Sequence, residues 1–140
     1  MANTFVRVAF TAAVAAGLFV VAGTTHSVAQ EKGLTIKDIM KAGHGGADPL
    51  LKQVIFAAKD GKWDAAVAAA KSLDSNAALL HKATPNKGGA DSWEKLGGAY
   101  HKNTSALLAA AEKKDADGVK TSAGAIQGSC KACHTAHKGK

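Results

Sequence analysis

The sequence predicts an all-α protein, an antiparallel up-down-up-down four-helix bundle, and three observations carry that prediction. Ala is very frequent while Pro is at 2 and aromatics at 5%. Val and Ile are scattered singly and never alternate with polar residues over a run, which argues against strands. Apolar residues instead recur at spacings of three and four, in stretches separated by short turns. The 140 residues allow one domain, and the hydrophobic fraction of 46% is too high for a disordered tail.

Residues 1–29 read as a secretory signal peptide. Arg7 supplies a positive start, residues 8–23 are uncharged and apolar, and Ser27-Val28-Ala29 supplies small residues for cleavage after Ala29. The competing reading is a retained anchor, but the apolar run falls short of the ~20 residues that span a bilayer. His26 belongs to this leader. The expected mature chain, residues 30–140, holds all eleven acids and every Lys, and is basic.

The first predicted helix begins near Leu34, with Leu34, Ile36, Ile39 and Met40 on one broad stripe. Gly43, Gly45 and Gly46 should interrupt it, because glycine is unfavourable inside a helix. Asp48-Pro49 should restart it, with Asp48 as N-cap and Pro49 at the first helical position. Asp60-Gly61 makes the next turn. The second helix is expected over about Lys62 to Leu80, and His81 to Ala90 reads as a loop containing Pro85, Gly88 and Gly89. Asp91 and Glu94 have the spacing of a capping box that would open the third helix. Its core side is Trp93, Leu96, Tyr100, Leu107, Leu108 and Ala111, weakened locally by Gly97 and Gly98. Residues 113–118 form the last turn, and the fourth helix carries Val119, Ala123, Ile126, Cys130, Cys133 and His137 in register.

The chemical signal lies in that last helix. Cys130-Lys131-Ala132-Cys133-His134 is the attachment signature of c-type haem. Residues three apart share a helix face, so the two thiols can bond the two vinyl groups of one porphyrin edge. The adjoining imidazole can then take the iron as proximal ligand. One haem c is the expected cofactor. Export agrees with this, because a free thiol pair does not persist in an oxidising compartment. Three rival readings exist: a thioredoxin-like dithiol, which wants a βαβ context that is not visible; zinc held by Cys130, Cys133, His134 and His137; and a plain disulfide.

With these residues in view, the stretch from Trp93 to Lys140 resembles the C-terminal half of the class II c-type cytochromes, the cytochrome c-prime and cytochrome c-556 family. Asp91-Ser92-Trp93 with Tyr100, the run Leu107-Leu108-Ala109-Ala110-Ala111, the charged turn, and Gly128-Ser129-Cys130 through His134 carry the resemblance. Lys138 stands where the family has a basic residue, and His137 where an aromatic often precedes it. The resemblance implies that the first helix supplies the distal side of the iron. Met there implies a six-coordinate electron carrier; an apolar residue implies a five-coordinate iron open to nitric oxide or carbon monoxide. Ile39-Met40-Lys41 resembles the Met-bearing turn, whereas counting back from Lys59 lands nearer His44, so Met40 is the expected distal ligand and His44 the alternative. Trp93 is the better candidate of Trp63, Trp93 and Tyr100 for a haem wall.

The function expected is a periplasmic mono-haem electron carrier, not an enzyme, with redox proteins of acidic surface as partners for Lys131 and Lys138. The alternative is a gas-binding protein open on the distal face, and a haem-free helical metal-binding or interaction domain is the rival from another class. Many relatives pair through their first two helices, so a homodimer is one expected assembly. No basic cluster with interleaved aromatics suggests nucleic acid, and no membrane span is expected after cleavage. His81 and His101 read as surface residues.

Overall fold

The computed structural model describes residues 33–138, which places the expected leader, residues 1–29, outside the described residues together with His26. Five helices follow in order: α1 (Ile36–His44), α2 (Leu50–Lys59), α3 (Trp63–Lys82), α4 (Ala90–Glu112) and α5 (Ala116–His137). The described residues contain helices and turns and no strand. α1 and α2 together occupy the place of the first bundle helix, broken by the 45–49 connection as its glycines predict. α2, α3, α4 and α5 pack each against the next, and α2 closes on α5.

The antiparallel arrangement is visible in which residues meet. Asp74 of α3 accepts a hydrogen bond from Thr104 of α4, while His81 lies beside Glu94. Ser92 of α4 meets His137 of α5, and Ala110 sits next to Gly118. Numbers rise along one helix as they fall along its neighbour, as short connections require. The core is built from Leu51, Val54, Leu73, Leu80, Leu107 and Ile126 among many alanines. Small side chains bring the helix axes close, and the few large ones fill what is left.

The helix ends depart from the sequence expectation in instructive ways. α1 opens on a capping box that the pattern had not suggested. The Thr35 side chain accepts from Asp38 N at 3.2 Å, and the Asp38 carboxylate accepts from Thr35 N at 3.1 Å. The helix also runs through Gly43 rather than breaking there. Gly43 is buried, and a Cβ on it would lie 3.2 Å from Leu73 Cδ1. It is a packing glycine, and the break falls at Gly45 and at Gly46, whose φ of +75° is left-handed.

Pro49, not Asp48, is the N-cap of α2, with an extended backbone at φ −71°, ψ 149° and no side-chain cap. α3 extends through His81 and Lys82, which shortens the following loop to residues 83–89. α4 is capped by Gly89 and not by an Asp91/Glu94 box. Glu94 lies instead 3.0 Å from His81 Nε2, and Asp91 sits inside the first turn, where a carboxylate favours the helix dipole. Gly97 does not interrupt α4; a Cβ there would lie 3.4 Å from the α3 backbone at His81, so it too marks a close helix approach. Asp115 caps α5 by accepting from Gly118 N at 2.9 Å, so the last turn is only residues 113–115.

Candidate functional site

The bundle leaves a cavity of about 240 Å³ lined by residues of α1, the end of α3, α4 and α5. Met40, His44, Trp93, Tyr100, Cys130, Cys133 and His134 all line it, with Leu80, Leu96 and Gly97 completing the apolar wall. Every residue expected from sequence to touch a haem therefore borders one space. Trp63, weighed beside Trp93 and Tyr100, does not line it and packs partly buried against the core.

Each group is delivered by a local feature already described. α5 carries Cys130 and Cys133 one turn apart, both half-buried and both free thiols. His134 follows on the same helix and is exposed. Burial, then the neighbouring Cys130, pushes the Cys133 thiol upward, so it stays protonated at neutral pH. The α1 capping box holds the helix that presents Met40 and His44, one turn apart on the same face. Met40 is half-buried against the core.

His44 is engaged elsewhere. Its Nε2 lies 2.7 Å from the Tyr100 hydroxyl, with the rings edge to face at 5.7 Å. Burial depresses the His44 pKa, and the nearby His134 depresses it further, so the imidazole is neutral at pH 7. Tyr100 is buried on α4, and burial together with Cys130 keeps its phenol protonated. The two imidazoles of His44 and His134 are thus near enough to influence each other across the cavity.

His137 is a structural residue that sequence reasoning left ambiguous. It is 6% exposed, Nδ1 lies 2.8 Å from the Lys87 carbonyl, and Nε2 lies 2.9 Å from Ser92 Oγ. With both ring nitrogens engaged, it is not available to the zinc set of Cys130, Cys133, His134 and His137. Among the described residues no group of three His, Cys, Asp or Glu is arranged to hold a metal ion. The signal for its role was its position four residues after Cys133, on the same inward stripe. His81 and His101 are half-buried and face each other, with His101 lying 3.6 Å from Asp74.

The residues present suit a flat, largely apolar group tethered through sulfur. Two thiols stand on one wall with an imidazole beside them. Gly45 and Gly97 leave bare backbone, and Trp93, Leu80 and Leu96 supply apolar faces. The Trp93 indole Nε1 is buried without a hydrogen-bond partner, a donor left for a polar group on whatever enters. The cavity also shares His44 and Cys130 with an adjoining groove of about 460 Å³ along α2 and α5, so the enclosed volume is not the limit.

The Cytochrome C' family model matches residues 88–138, which span the end of the 83–89 loop, all of α4 and α5, and the Cys-x-x-Cys-His segment. No curated protein and no solved structure gives a significant match. Haem c, covalently attached, is the cofactor of that family and of this chain.

Proposed function

We propose, from the premise that the C-terminal half of this chain is a haem segment of the cytochrome c-prime type, that the protein is a periplasmic mono-haem electron carrier. Cys130 and Cys133 would hold the haem as thioethers, His134 would take the iron proximally, Met40 distally, and Trp93 would wall the ring. The observation that carries this is the shared cavity: a thioether donor on α1 and an imidazole on α5 border the same space as both cysteines. His44, the other donor on α1, has its Nε2 committed to Tyr100.

When bound, the haem supplies a one-electron couple. The chain supplies the rest. A half-buried Met40 on α1 and His134 on α5 would serve as the two unlike ligands, each fixed on its own helix, which would favour little rearrangement between oxidation states. The apolar wall of Leu80, Trp93 and Leu96 would limit water at the metal and, with a thioether ligand, would favour the reduced form. No substrate bond is made or broken in this reading. Lys131 and Lys138 are exposed beside the site, suited to steering an acidic redox partner. Among the described residues no helix is long and apolar enough to cross a membrane. Residues 1–29 would direct export and be removed.

The test is the absorption spectrum of protein matured with haem. A six-coordinate, low-spin spectrum with the thioether charge-transfer band is expected, and Met40→Ala should convert it to high spin. A five-coordinate wild type that readily takes up carbon monoxide would replace the carrier with the gas-binding reading.

A further inference from the structure

We infer that Tyr100 is a positioning residue that selects the distal ligand: its hydroxyl occupies the ligating nitrogen of His44 at the cavity wall and so leaves the iron to Met40. The inference rests on the haem reading above and concerns a choice which that reading leaves open.

α1 offers two side chains able to ligate iron, one turn apart and lining the same cavity as Cys130, Cys133 and His134. An imidazole competes well with a thioether, above all for ferric iron. Something must therefore restrain His44 if Met40 is to bind. The restraint is visible at Nε2, 2.7 Å from the Tyr100 hydroxyl. Tyr100 is 8% exposed and fixed on the long helix α4. A buried phenol of this kind stays protonated, so the hydroxyl donates and Nε2 accepts. The neutral ring then carries its proton on Nδ1. One nitrogen has its lone pair in the hydrogen bond and the other has none to offer.

Gly43 makes the contact feasible. A Cβ there would press on Leu73 Cδ1 at 3.2 Å and stand at ordinary contact distance, 3.7 Å, from the Tyr100 oxygen, so the glycine lets α1 lie close to α3 with the Tyr100 hydroxyl beside it. The tyrosine and the histidine form the restraint, contributed by α4 and α1.

The experiment compares ferric holoprotein of the wild type, Tyr100→Phe, and Tyr100→Phe with His44→Leu. Tyr100→Phe keeps the ring and removes only the hydroxyl. It should lose the thioether charge-transfer band, gain the electron paramagnetic resonance signature of bis-imidazole haem, and show a lower reduction potential. The double variant should regain the thioether band. A Tyr100→Phe protein that keeps Met40 ligation overturns the inference while leaving the carrier reading intact. A wild type that is already bis-imidazole overturns both. A high-spin wild type, with no distal Met40, also overturns both. Should Tyr100→Phe not mature, nitrogen NMR of the ferrous wild type decides: His44 protonated on Nδ1 and unligated supports the restraint, and protonation on Nε2 overturns it.

Discussion

The ring of His137 stands edge-on to the indole of Trp93, with centroids 5.1 Å apart and planes at 80°. His137 ends α5, and Trp93 lies in the first turn of α4 and walls the cavity. The same imidazole reaches the Lys87 carbonyl and the Ser92 hydroxyl, so one side chain fastens the 83–89 loop, the start of α4 and the end of α5.

Replacing His137 with Ala removes an aromatic contact and two hydrogen bonds, and leaves the Lys87 carbonyl without this partner. The expected loss is about 2–4 kcal/mol of stability. Urea unfolding followed by circular dichroism measures it, and Trp fluorescence should report increased solvent access at Trp93. A loss under about 0.5 kcal/mol would show that the clamp contributes little.

Gly88 sits under that clamp with φ of +87°. A Cβ there would collide with His137 Nδ1 and approach its Cε1 to 2.7 Å. Gly88→Ala should therefore cost about 1–2 kcal/mol for the left-handed backbone, with the collision added. Gly89→Ala meets no atom within 4 Å and should cost much less. Equal midpoints of denaturation for the two variants would contradict this account.

Thermal unfolding of Ile126→Ala tests the core beneath the attachment site. Ile126 is fully buried on α5 and one turn before Cys130. Truncation should destabilise by about 2–5 kcal/mol, since neighbouring alanines are too small to fill the space. Haem attachment should persist, read as a mature-protein mass that differs from the wild type only by the substitution and still includes one haem.

The capping box of α1 yields a pH dependence. Hydrogen bonds from the Thr35 side chain, then from its backbone, hold the Asp38 carboxyl below its ordinary value of 3.8. In the unfolded chain Asp38 takes up its proton first, so the cap is fully present above that value and is lost as pH falls through the lower folded one. The Thr35 amide resonance should titrate with a midpoint below 3.8, and Asp38→Asn should abolish the titration. At neutral pH, Thr35→Ala should weaken α1 by about 1 kcal/mol. A midpoint at or above the ordinary value would mean the cap does not form in solution.

Replacing either Cys130 or Cys133 with Ser should leave haem held through one thioether, and replacing both should release it to solvent extraction. Mass spectrometry of denatured protein reads this directly. Full covalent retention in the double variant would remove the cysteines from the assignment.

The Cys130–His134 signature was legible because its chemistry is local. Two thiols and an imidazole within five consecutive residues on one helix need no long-range information to stand together. The helices were legible for the same reason, since their repeats of three and four and the Asp60-Gly61 turn are written along the chain. Their ends were harder. Asp91 and Glu94 satisfied the spacing of a cap, yet Glu94 lies beside His81 on another helix. Gly43 looked like a breaker because glycine disfavours helix, but the close approach of Leu73 makes it a packing requirement.

What the sequence determined by itself was an all-helical chain with a Cys-x-x-Cys-His signature on its C-terminal helix and two candidate donors near its start. Only the tertiary structure brought Met40 and His44 to the cavity of Cys130, Cys133 and His134, and only it joined His44 to Tyr100, 56 positions away. Periodicity records which face of a helix is buried; it carries no record of which polar atom on a distant helix will meet it. That meeting depends on how α1 seats on its neighbours in three dimensions, where Gly43 packs against Leu73 of α3 and leaves His44 within reach of Tyr100.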